Sequence, residues 1–99
     1  MCLQFNEDDK SLMVHFPSRL DTATCMELER SVCEKTHESR KQIVFDLDGV
    51  DFVASMFLSL CLRVLKDVGK DRYSIINVSP QVLKVLKIAG FDKHMAVIV

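Results

Sequence analysis

Only three glycines occur in the 99 residues, Gly49, Gly69 and Gly90, and each stands between apolar segments rather than in a cluster. A phosphate-cradling loop needs closely spaced glycines so that backbone N–H groups can approach the anion, so a Walker loop and a dinucleotide fingerprint are both excluded. No Cys-x-x-Cys pair links Cys2, Cys25, Cys33 and Cys61, which leaves neither a zinc nor a disulfide framework. Their neighbours are often apolar, Val32 beside Cys33 and Leu60 and Leu62 beside Cys61, so the thiols read as small buried hydrophobes in a reducing compartment. His15, His37 and His94 lie on separate segments, none at ligand spacing from a cysteine or another histidine, and no metal or cofactor is expected. Excess charge of one sign is missing as well. Thirteen basic residues against fourteen acidic give a formal net charge of -1, too little to draw nucleic acid or anionic lipid. The longest apolar run, Met56 to Leu62 broken by Ser59, falls far short of the ~20 residues that span a membrane. Glu7, Asp8 and Asp9 near the start argue against a signal peptide.

What remains is a chain with 48% hydrophobic and 27% charged residues, a composition that folds rather than stays disordered. Its length fits one domain over residues 1–99, burying roughly 65% of the surface that the unfolded chain exposes. The expectation is a soluble, cytoplasmic protein.

Alternation from Cys2 to Asn6, a charged turn at Glu7 to Lys10 and a second run from Leu12 to Phe16 predict a hairpin, stopped by Pro17. Asp21 or Thr22 caps a helix reaching about Thr36. Its apolar arc holds Cys25, Met26, Leu28, Val32 and Cys33, with Glu29 as a charged exception inside it. Gln42 to Leu47 is β-branched and aromatic, the pattern of a buried central strand. A second helix runs from Ser55, whose hydroxyl is expected to cap it, to about Val68. Tyr73 to Val78 is the next strand, Ser79-Pro80 starts a third helix ended by Gly90, and Met95 to Val99 closes as a short strand. The order β-β-α-β-α-β-α-β implies an α/β sandwich. Its three later strands should be parallel, and the hairpin makes the sheet mixed.

Polar candidates are few. Asp46 and Asp48 lie at the carboxyl end of the central strand, where open sheets place ligands, although the same residues serve equally to shape the turn before Gly49. With Asn77 they are the natural lining for a small-ligand pocket. Ser55 has no obvious histidine partner, so no catalytic nucleophile is assigned and no enzyme is expected. Lys84, Lys87 and Lys93, with Arg63, Lys66 or Lys70, form a basic face that is either solvated or a contact patch. On the second helix the polar arc holds Ser55, Ser59, Arg63, Lys66 and Asp67, and Met56 falls within it. A methionine there is either incidental or part of an adaptable contact surface.

Ile43-Val44-Phe45-Asp46-Leu47-Asp48-Gly49-Val50-Asp51-Phe52-Val53, the helix from Ser55, Val78-Ser79-Pro80-Gln81-Val82 and Leu86-Lys87-Ile88-Ala89-Gly90-Phe91 together resemble a STAS domain, the fold of bacterial anti-sigma factor antagonists. The family junction between loop and helix typically reads Asp-Ser-Ser/Thr-Gly, with the second hydroxyl residue phosphorylated by a partner kinase. Here the matching stretch is Ala54-Ser55-Met56-Phe57, so the phosphoacceptor position falls on Met56, which cannot carry a phosphate. Phosphorylation of Ser55 is compatible with the resemblance but not implied by it. Many members also continue into another helix after the strand at Met95 to Val99, leaving an edge or face here for a partner or a second copy.

The resemblance implies a non-catalytic protein-interaction module in transcription regulation, docking through Ser55, Met56, Phe57, Ser59 and Arg63 to a serine-kinase anti-sigma factor. Phe57 points toward the core on the helical count. A soluble STAS accessory subunit of a membrane transporter and a small-ligand-binding domain are the alternatives.

Overall fold

The computed structural model describes residues 3–99; the expected strand start at Cys2 and the Cys2 thiol lie outside them. Five strands, β1 (Gln4–Glu7), β2 (Ser11–His15), β4 (Gln42–Asp46), β6 (Tyr73–Ile76) and β7 (Ala96–Val97), form one sheet in the order β1-β2-β4-β6-β7. β1 runs antiparallel to β2, and every other neighbouring pair is parallel, giving the expected mixed sheet. Two short strands absent from the sequence reading, β3 (Arg19–Leu20) and β5 (Phe52–Val53), pair in parallel as a separate ladder. Helices α1 (Thr22–Glu38), α2 (Ser55–Val68) and α3 (Pro80–Ile88) follow β3, β5 and β6, and 3-10 turns occur at Lys70–Arg72 and Phe91–Lys93.

Alternation along the strands gives the sheet two unlike faces. Leu12, Val14, Ile43, Phe45, Tyr73 and Ile75 are buried in the core with Leu28 and Val32 of α1 and Phe57, Leu60 and Val64 of α2. Met13, Val44 and Ser74, in register on the other face, are half-exposed. The central strand is therefore buried on one side rather than on both.

Boundaries follow local chemistry. Asp21 caps α1, its carboxylate accepting from Thr24 N–H at 2.9 Å. Ser79 caps α3 by accepting from Val82 N–H at 3.4 Å, with Pro80 in the first turn. Gly90 takes a left-handed conformation (φ 82°) that ends α3, as a residue without Cβ can. β6 stops at Ile76 because Asn77 also adopts a positive φ of 56°, so Val78 is buried without being part of the strand.

One expectation about α1 needs correction, and one exception finds its reason. Met26 is 65% exposed rather than part of the apolar arc of α1; Thr36 is buried instead. Glu29 lies within that arc because it faces α2, where its carboxylate accepts from the Arg63 guanidinium at 2.9 Å.

Candidate partner-docking surface

The start of α2 is fixed from below by the β3–β5 ladder, in which Arg19 pairs with Phe52 and Leu20 with Val53. Asp51 N–H donates to the Ser18 carbonyl at 3.0 Å and Ala54 N–H to the Leu20 carbonyl at 2.8 Å, so the loop before α2 is tied to the segment before α1. The cap position is Ala54, which supplies no side-chain hydrogen bond. Ser55 is therefore not the cap but the exposed first residue inside the helix. A helix start with no capping side chain leaves its first N–H groups to water or to a partner.

Met56 is half-buried and packs against the core edge rather than standing free in solvent. Phe57 is fully buried, its ring edge-on to Phe16 at 5.3 Å and 6.4 Å from Phe45. It belongs to the core and offers no surface to a partner, which corrects its place among the contact candidates. Ser59 is exposed one turn along, and Arg63 a further turn along is held to Glu29 across the α1–α2 seam. The structure thus brings Ser55, Met56 and Ser59 together at one end of α2 and places Arg63 on the flank toward α1.

Sequence reasoning missed Phe52. It is 39% exposed, and the guanidinium of Arg19 sits over its ring at 4.4 Å. Only Val53 and Ala54 separate it from Ser55, so the exposed aromatic adjoins the helix start. A large apolar side chain on a two-residue strand bordering a turn was the available signal, and no periodicity could reveal which way it points.

Asp46, by contrast, is buried and committed internally. One carboxylate oxygen accepts from Asp48 N–H at 3.0 Å and from the Asn77 amide at 2.9 Å, and the other faces His15 Nδ1 at 3.1 Å. A carboxylate can only accept, so His15 Nδ1 is the donor, and Nε2 is left to accept from the Asn6 amide at 3.0 Å. The cluster joins β1, β2, β4 and the turn after β6, which is the turn-shaping role foreseen for Asp46, and it engages both oxygens of the carboxylate with internal partners. Asp48 itself is exposed.

The thiols are chemically quiet. Burial pushes Cys25 up to about 11 and Cys61 higher still, and Cys33 is raised for the same reason; all three are free. Tyr73 is likewise held far above its ordinary range by burial, and its hydroxyl has no hydrogen-bond partner within normal limits. Among the described residues no group of three or more His, Cys, Asp or Glu side chains could hold a metal ion, and no helix is long and apolar enough to cross a membrane.

A family model for the STAS domain matches residues 3–98, and the chain belongs to that family. Solved structures with this fold include an anti-sigma-factor antagonist domain protein from Planctomyces limnophilus, 20% identical, with a TM-score of 0.85 over 96% of this chain and 86% of that one. An anti-sigma factor antagonist from Mycobacterium paratuberculosis is 21% identical, with a TM-score of 0.87 over 97% and 83%. The phosphorylated form of the Bacillus cell fate determinant SpoIIAA is 17% identical, with a TM-score of 0.73 over 97% and 90%. No curated protein matches the chain in sequence.

Proposed function

We propose that the chain is a non-catalytic, cytoplasmic protein-interaction module that docks a partner through the start of α2. The observation that carries this reading is the exposed Phe52 under Arg19, four positions before half-buried Met56, at a helix start with no capping side chain. Ser55, Met56 and Ser59 form the contact stripe, Phe52 and Arg19 extend it, and Arg63 borders it. An aromatic and an arginine next to a flexible methionine are the residue types that supply binding energy at interfaces.

The partner proposed is a serine-kinase anti-sigma factor, because the structural neighbours are anti-sigma factor antagonists. Binding is constitutive, since Met56 stands at the family's phosphoacceptor position without a hydroxyl. The test is affinity capture from the source cell's lysate with the native protein and Met56→Lys side by side. A kinase-like protein retained by the native chain and lost with the variant supports the proposal. Capture of a transporter component instead assigns the chain to a membrane complex, and equal capture by both proteins moves the interface elsewhere.

A further inference from the structure

An open groove of about 350 Å³ runs between α2 and the segment that follows α3. Leu58, Leu62 and Leu65 of α2 form one wall, and Ala89, Phe91 and His94 the other. Leu62 is 43% exposed, and Ile88, next to Ala89 in the chain, is 79% exposed. Large apolar side chains gathered at one solvent-facing groove mark a surface that a partner covers.

The charge beside this groove is unbalanced. Lys66 lies one turn beyond Leu62 on α2, and Lys93 stands between Phe91 and His94; both are exposed, and neither joins an ion pair among the described residues. Asp92 is the one carboxylate among residues 88–94. The nearby acidic residue of α2, Asp67, is engaged by His37 of α1 at 3.0 Å, and Arg63 is drawn to Glu29 on that same flank. Two free lysines, Lys66 and Lys93, therefore flank an apolar floor with a single nearby counter-charge.

We propose that this groove docks an acidic amphipathic helix of another protein, with apolar anchors on Leu58, Leu62 and Phe91 and carboxylates opposite Lys66 and Lys93. Helices lie in apolar grooves of this kind through side chains spaced three and four residues apart, and complementary charge fixes their register. A lipid chain fits less well, because the groove is open along its length and would leave the tail wet. The inference is independent of docking at the start of α2. Ser59 borders both surfaces, but helical spacing puts Met56 on the opposite flank, toward Arg63.

The test titrates intact protein with a fluorescent synthetic helix of about 18 residues, long enough to be helical, carrying Leu at the i, i+3, i+4, i+7 spacing and Glu elsewhere. A second peptide has Lys in place of Glu. The Glu peptide is expected to bind saturably, on the order of tenfold tighter than the Lys peptide at low salt, with the difference shrinking as salt rises. Leu62→Glu should abolish binding, the Lys66→Glu, Lys93→Glu double variant should reverse the preference, and Met56→Lys should change nothing. Thermal melts confirm that each variant folds. The proposal is overturned if the Glu peptide fails to bind, if both peptides bind equally, or if binding survives Leu62→Glu. Phosphatidylglycerol vesicles captured in place of the peptide, and lost with Leu62→Glu, would overturn it in favour of a lipid surface.

Discussion

The Arg19 guanidinium lies 4.4 Å from the centre of the Phe52 ring, joining the strand before α1 to the strand before α2. An arginine over an aromatic face is attracted by the ring's quadrupole, which favours this placement of the ring at the edge of the helix start. Phe52→Ala should therefore weaken partner binding by on the order of tenfold or more, the loss typical of an aromatic anchor. Because the ring is partly exposed and outside the core, the melting temperature should stay within a few degrees. Binding titration and thermal melting read the two effects separately.

On the proposed function, Met56 stands where relatives of this family carry a phosphoacceptor, which makes a phosphorylation test decisive. Incubated with the captured kinase and Mg-ATP, the native chain should take up no phosphate at position 56, while Met56→Ser should be phosphorylated. Phosphopeptide mapping checks this, and Ser55→Ala in the native background identifies any phosphate placed on Ser55 instead.

Asp46 is expected to matter for stability rather than for binding. Asp46→Ala leaves the Asn77 amide, the Asp48 N–H and His15 Nδ1 without their acceptor, which should cost about 2–4 kcal/mol. Urea unfolding measures the loss, and the variant's partner affinity, taken where it is still folded, should match the native value.

The buried thiols set an alkaline limit. Cys25 is held at about 11 against an ordinary 9.0, and Cys61 and Tyr73 are raised too, so in each case the folded state keeps its proton longer than the unfolded chain. A group raised in the folded state contributes full stability below its unfolded value and loses it as pH climbs through the folded one. Stability should therefore fall from about pH 9 upward. Melting temperatures across pH 7 to about 10.5 test this. In a Cys2→Ser background, a thiol reagent should modify Cys33 in the native state and reach Cys25 and Cys61 only on unfolding.

The architecture was legible where period and punctuation agree. Ser79-Pro80 and Gly90 bracket α3, and alternation in Leu12 to Phe16 and the compact run at Gln42 gave the sheet. The β3–β5 ladder was not legible, since two residues carry no period and its pairing joins positions thirty-three apart in the chain. Phe52 was hidden with it. Ser55 was read as a cap because serine favours that position, yet the ladder places Ala54 there through its N–H bond to Leu20. The helical count places Met26 in the apolar arc of α1, where the structure leaves it 65% exposed, but it places Glu29 there correctly, and Arg63 across the seam supplies the charge that lets a carboxylate sit on that side.

The most direct measurement of the central claim is calorimetric titration of the purified captured partner with the native protein and with Met56→Lys, alongside their thermal melts. Met56 is half-buried at the core edge, and lysine can extend its head to water while its stem covers the same surface, so the variant should fold with a loss below about 1.5 kcal/mol. The account predicts a folded variant whose affinity drops by at least about tenfold. A folded variant that binds with unchanged affinity would contradict docking at the start of α2.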